Sequence, residues 1–98
     1  MEKLTNKIRA EALLITNGVS EKINASEQFS KFICQSLTRH LNGDWGDLCE
    51  EDKQLNENAL RYGNDRLFSR YVYNDETNIY IITEWDRSAT TILLSDEY

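Results

Sequence analysis

The stretch RLFSRYVYNDETNIYIITEWDRSATTILL, residues 66–94, decides the fold. Residues 66–73 alternate loosely and are rich in aromatics, residues 79–85 form a second β-rich run, and residues 89–94 form a third. Asn74-Asp75-Glu76-Thr77-Asn78 and Asp86-Arg87-Ser88 separate them as turns. Parallel pairing needs a crossover of about a dozen residues or more, so two short turns in succession predict an antiparallel meander. Tyr71, Tyr73, Tyr80 and Trp85 then read as core and cross-strand packing. A base-stacking platform would need more Lys and Arg around them.

Upstream of the meander the period changes to that of helices. Phe29, Phe32, Ile33, Leu37 and Leu41 recur at three- and four-residue steps, which gives one apolar stripe over about four turns. Asn24 and Glu27 have capping-box spacing and Asn42-Gly43 is a stop signal, so a helix is predicted over 25–41. Asp47 and Glu50 repeat the capping spacing, and Gly63 closes a second, polar helix over 48–62, with Glu57 and Arg61 as an i,i+4 pair. Between the helices lies Gly43-Asp44-Trp45-Gly46-Asp47-Leu48, a tight loop in which Trp45 is expected to be buried. Residues 12–16 form a short apolar run ended by the turn pair Asn17-Gly18, and read as a strand that joins the sheet. Residues 1–10 are a polar lead-in with room for a helical turn. The expected class is α+β: two helices on a small, mostly antiparallel sheet, in the order β-α-α-β-β-β.

Ninety-eight residues make a single domain, 1–98, near the low end of what folds without a metal or disulfides. The chain has no proline and four glycines, which argues against linkers and low-complexity segments. No apolar run approaches the roughly 20 residues of a membrane span, and no signal peptide is visible. Two cysteines, Cys34 and Cys49, are too few for a secreted disulfide scaffold, so the expected compartment is the cytoplasm. Charge is uneven. Residues 1–43 carry six Lys/Arg and four Asp/Glu, whereas residues 44–98 carry five and thirteen. Such an acidic surface repels nucleic acid and attracts basic clefts, so direct nucleic-acid binding is disfavoured and a protein partner is expected.

Three constellations bear on chemistry. His40 is six residues from Cys34 on one predicted helix, about 240° around it, so the two cannot meet there as a nucleophile–base pair. His40, Asp44, Asp47 and Cys49 fall within ten residues and offer zinc-compatible ligand atoms, but lack the paired Cys-x-x-Cys or His spacing of structural zinc sites. The plainer reading puts His40 at a helix end and Asp47 at a helix cap. Asp44 with Asp47, and Glu84 with Asp86, are carboxylate pairs of the kind that general acid–base or magnesium chemistry uses, though capping and solubility account for them too. With no glycine-rich phosphate loop and no Gly-x-Ser-x-Gly elbow, the chain is expected not to be an enzyme and to need no cofactor.

Several strings hold together in order: Ile15-Thr16-Asn17-Gly18-Val19; Arg39-His40 with Gly43-Asp44-Trp45-Gly46-Asp47-Leu48; Glu51-Asp52 with Asn56; Arg66, Ser69 and Tyr71; Ile82-Thr83-Glu84 with Asp86-Arg87-Ser88 and Thr90-Thr91; and the terminal Glu97-Tyr98. In these the chain resembles a group of small proteins carried by plasmids, phages and integrative elements of Firmicutes, over about four-fifths of its length. Cys34 and Cys49 are not part of the pattern, which leaves His40, Asp44 and Asp47 as its shared polar cluster. The resemblance implies a mobile-element protein, and proteins of that size and setting include inhibitors of host defence, anti-CRISPR proteins among them. The expected function is therefore inhibition of a CRISPR effector nuclease inside the bacterial host. The partner-binding surface would comprise Asp44, Asp47, Glu50, Glu51 and Asp52, joined by Glu84 and Asp86. The alternative is a small plasmid-maintenance or regulatory protein that binds another element-encoded protein.

Overall fold

The computed structural model describes Ile8 and residues 11–98. The remainder of the polar lead-in over 1–10 lies outside the described residues. The element order is β1 (Ala12–Ile15), α1 (Asn17–Ala25), α2 (Glu27–Leu41), α3 (Glu50–Tyr62), β2 (Leu67–Asn74), β3 (Thr77–Thr83) and β4 (Ala89–Leu94), followed by a 3-10 turn at Ser95–Glu97. The class is α+β, with a four-stranded sheet in the order β1-β4-β3-β2. The meander β2-β3-β4 is antiparallel, with Ser69 opposite Ile81 and Ile81 opposite Ile92. β1 joins β4 in parallel, Leu13 opposite Thr90 and Ile15 opposite Ile92.

Among the described residues there are three helices where two were expected, and the extra one has a local cause. Asn17-Gly18 does not turn the chain back but opens α1. The Thr16 hydroxyl accepts the Val19 N–H at 3.3 Å, and the Glu97 carboxylate accepts both the Thr16 hydroxyl at 2.6 Å and the Gly18 N–H at 3.2 Å. These bonds satisfy N-terminal donors that a helix leaves unpaired. The carboxylate packs so close that a Cβ on residue 18 would lie 2.5 Å from a Glu97 carboxylate oxygen. Glu97 lies 81 residues from Thr16, so no local pattern announces this cap.

α2 starts later than predicted. Ser26 ends α1 and caps α2, its hydroxyl accepting the Phe29 N–H at 3.1 Å, so the Asn24–Glu27 box is not used. The predicted apolar stripe is real: Phe29 and Ile33 are buried against Tyr71, Ile79, Ile81 and Ile92, with Val19 from α1. Ile79, Ile81 and Ile92 have no exposed surface, and burial of each such side chain is worth roughly 1.5–3 kcal/mol. α3 begins at Glu50 rather than residue 48, and ends as expected at Gly63, in the left-handed conformation with φ 66°. A second cluster lies under α3 and the interhelix loop, formed by Ile8, Trp45, Ala59 and Leu67. On the opposite face of the sheet Phe68, Tyr80 and Tyr98 form an aromatic trio, with centroids 4.8–5.9 Å apart. Among the described residues no helix is long and apolar enough to cross a membrane.

Candidate functional site

The loop from Gly43 to Leu48 is built onto the outer edge of β2. An edge strand exposes backbone donors and acceptors that must be covered or managed. Here the outward groups of Phe68, Arg70 and Val72 meet three partners in a row. The Asn56 side-chain amide donates to Phe68 O at 2.6 Å and accepts Phe68 N–H at 3.0 Å. The loop backbone follows: Arg70 N–H donates to Trp45 O at 3.2 Å, and Asp47 N–H donates to Arg70 O at 2.7 Å. The Asp47 carboxylate then accepts the Val72 N–H at 3.2 Å. Gly46, at φ 77°, makes this contact possible, because a Cβ there would sit 2.0 Å from Arg70 O. Asp47 therefore does not cap α3. Cys49 occupies the N-cap position and makes no side-chain cap bond.

Trp45 is 4% exposed, as its loop suggested, and its indole N–H donates to the Glu57 carboxylate at 2.8 Å. Glu57 thus serves the loop. Asp44 is held from two sides. Arg39 meets it through Nε at 2.8 Å and a second nitrogen at 3.1 Å, while Gly46 N–H donates at 3.2 Å. The Arg39 guanidinium keeps the Asp44 carboxyl below its usual range. The Tyr71 hydroxyl donates to Asp44 O at 2.6 Å, and burial pushes the phenol up, so it stays protonated.

His40 points from α2 to the sheet. It is fully buried, with Nδ1 bonded to the Ser69 hydroxyl and Nε2 to the Thr83 hydroxyl at 2.8 Å. Thr83 in turn bonds the Thr90 hydroxyl at 2.7 Å, so the network crosses β2, β3 and β4. Desolvation lowers the imidazole to about 4, so it is neutral at physiological pH. The His40–Ser69 pair has nucleophile–base composition, but both residues are sealed from solvent and offer a substrate no access. Both thiols, Cys34 and Cys49, are exposed and free. Of the proposed zinc ligands, His40 is consumed by hydroxyls, Asp44 by Arg39, and Asp47 by Val72. Among the described residues no three His, Cys, Asp or Glu side chains converge.

The acidic residues thus divide. All five are exposed, but Asp44 and Asp47 are hydrogen-bonded within the loop and at the β2 edge, whereas Glu50, Glu51 and Asp52 project from the first turn of α3. Lys53 approaches Glu50 at 3.9 Å, a solvent-exposed pair worth little. Asp52 also borders an open groove of about 370 Å³ that passes Leu55 and Phe68 to Tyr98. Glu84 and Asp86 are not brought to this surface. They lie in the β3–β4 turn, which Arg87 ties to the Ala59 carbonyl, nine residues along α3 from Glu50 and so about 14 Å away along its axis. The Ser88 hydroxyl and N–H hold the Asp86 carboxyl below its usual range. Trp85, expected to pack in the sheet, is instead 63% exposed at the tip of this turn. The available signal was its place between turn residues, since tips of hairpins face solvent. In comparisons with family models, curated proteins and solved structures, no match to this chain is found.

Proposed function

We propose that this chain is a mobile-element protein that inhibits host defence, acting as an anti-CRISPR by occupying the basic nucleic-acid channel of an effector nuclease in the bacterial cytoplasm. It works by occupancy rather than turnover. The observation that carries the reading is the exposure of Glu50, Glu51 and Asp52 together on one helix turn, beside the equally exposed Asp44 and Asp47, which the loop holds in place by hydrogen bonds. Exposed carboxylates replace phosphates in a basic channel, steer association by charge and lose affinity as salt rises. A chain with net charge −6 and an acidic C-terminal half suits that competition. The test is cleavage of target DNA by purified, guide-loaded effector nucleases of Firmicute hosts, with increasing amounts of this protein. Dose-dependent loss of cleavage, relieved by added salt, is the expected result. Full cleavage by every nuclease at large molar excess of the protein contradicts it.

A further inference from the structure

The β3–β4 turn has a construction that neither packing nor the acidic helix explains. Trp85 and Asp86 are its central residues: Arg87 N–H donates to Glu84 O at 2.8 Å and Glu84 N–H donates to Ala89 O at 2.9 Å. Arg87 follows at φ 64°, the only non-glycine residue with positive φ among the described residues. Its guanidinium folds back under the turn. One nitrogen donates to Asp65 O at 2.7 Å, Trp85 O at 3.1 Å and Glu84 O at 3.2 Å, and the other to Ala59 O at 2.9 Å. A backbone conformation disfavoured for side-chain-bearing residues is thus held by one arginine against the end of α3. The result is a fixed tip with a 63% exposed indole between two exposed carboxylates.

We infer that this tip is a second contact point for a protein partner, in which Trp85 enters an apolar pocket whose rim is basic. The inference rests on the inhibitor reading only for the identity of that partner. Tryptophan on a rigid support is the side chain that most often dominates interface energetics, because little freedom is lost on docking. The sign of the rim follows from the charges. Arg87 spends its cation on four backbone carbonyls, Glu84 and Asp86 flank the indole, and Glu11 and Asp65 belong to segments hydrogen-bonded to the same arginine. The nearby Arg66 is turned over the Phe68 and Tyr98 rings at 5.5 and 5.8 Å. A nucleic-acid strand would bring phosphates against these carboxylates.

The experiment compares wild type, Trp85→Ala, Trp85→Phe and the double variant Glu84→Lys/Asp86→Lys, after confirming that melting temperatures agree. Against a nuclease that wild type inhibits, Trp85→Ala is expected to weaken binding at least roughly tenfold, with Trp85→Phe intermediate and the double variant slower to associate. Equal binding by Trp85→Ala overturns the inference and leaves the inhibitor reading standing. If wild type inhibits no nuclease, the inhibitor reading fails alone, and a random peptide library panned on wild type decides the inference. Enriched peptides rich in Lys or Arg that release from Trp85→Ala support it. No enrichment, peptides indifferent to Trp85, or Trp85-dependent binding of oligo-deoxythymidine overturns it.

Discussion

Asn56 and Phe68 are joined as two paired strands would be, the side-chain amide of one meeting the backbone N–H and C=O of the other at 3.0 and 2.6 Å. Asn56 is 4% exposed, so its removal leaves two edge groups with little water to replace it. Asn56→Leu is expected to destabilise the protein by about 2–3 kcal/mol, since each buried polar group left unpaired costs about 1–3 kcal/mol. Urea unfolding measures this, and a loss below about 0.5 kcal/mol would show that the amide contributes nothing.

Trp45 and Glu57 supply the second prediction. Trp45→Ala is expected to cost about 3–5 kcal/mol, a large part of the stability of a small domain. Trp45→Phe retains most of the ring but loses the bond to the solvent-exposed Glu57 carboxylate and some packing, and is expected to cost less, roughly 1–2 kcal/mol. Thermal melting distinguishes them. A Trp45→Ala protein with unchanged melting temperature and lost partner binding would make Trp45 an interface residue instead.

Gly46 and Gly63 both have positive φ but differ in what surrounds them. A Cβ on residue 63 meets nothing within 4 Å, so Gly63→Ala carries only backbone strain, about 1–2 kcal/mol. A Cβ on residue 46 meets Arg70 O at 2.0 Å and Tyr71 at 2.8 Å, so the loop must leave the strand edge. Gly46→Ala is expected to cost upward of about 3 kcal/mol and to restore hydrogen exchange at the Arg70 amide. Similar losses for both variants would mean that the loop is not held at the edge.

The strands and the α2 stripe were legible because their signals are local: turn residues at short spacing and apolar residues at three- and four-residue steps. What was not legible depends on distant groups. Asn17-Gly18 is a good turn pair until Glu97, from the other end of the chain, caps it as a helix start. Asp47 has cap spacing to Glu50, yet the β2 edge offers the Val72 N–H and takes the carboxylate. The candidate site divides in the same way. Glu50, Glu51 and Asp52 are legible as an acidic run, but composition does not tell them from Asp44 and Asp47, which are hydrogen-bonded to Arg39 and to the Val72 N–H. Trp85 reads in the sequence as the end of a β-rich run, whereas the Arg87 N–H to Glu84 O bond makes it a central residue of the turn.

His40 gives the pH prediction. Burial holds the imidazole at about 4 when folded, against 6.5 for the free side chain. The unfolded chain therefore binds a proton that the folded protein refuses. Stability from this source is whole above pH 6.5, declines as pH falls, and is fully lost below about pH 4. At about 1.4 kcal/mol per pH unit the loss is roughly 3 kcal/mol. Asp44, held low by Arg39, adds to the loss at the acid end of the same range. Urea midpoints between pH 7 and 4, with the His40 ring resonances followed by NMR, check it. A native imidazole that titrates near 6.5 would contradict the buried network.

The most direct test of the account is the association rate of the triple variant Glu50→Lys/Glu51→Lys/Asp52→Lys with an inhibited nuclease, at two salt concentrations, alongside its melting temperature. Exposed carboxylates at a helix start contribute only about 0.3–1 kcal/mol each, so the fold is expected to survive nearly intact. Wild-type association is predicted to slow as salt rises, and the variant to associate at least about tenfold more slowly at the lower salt, where screening is weakest. A variant that associates as fast as wild type at both salt concentrations, with its fold intact, would contradict the account and make the first turn of α3 only a solvated surface.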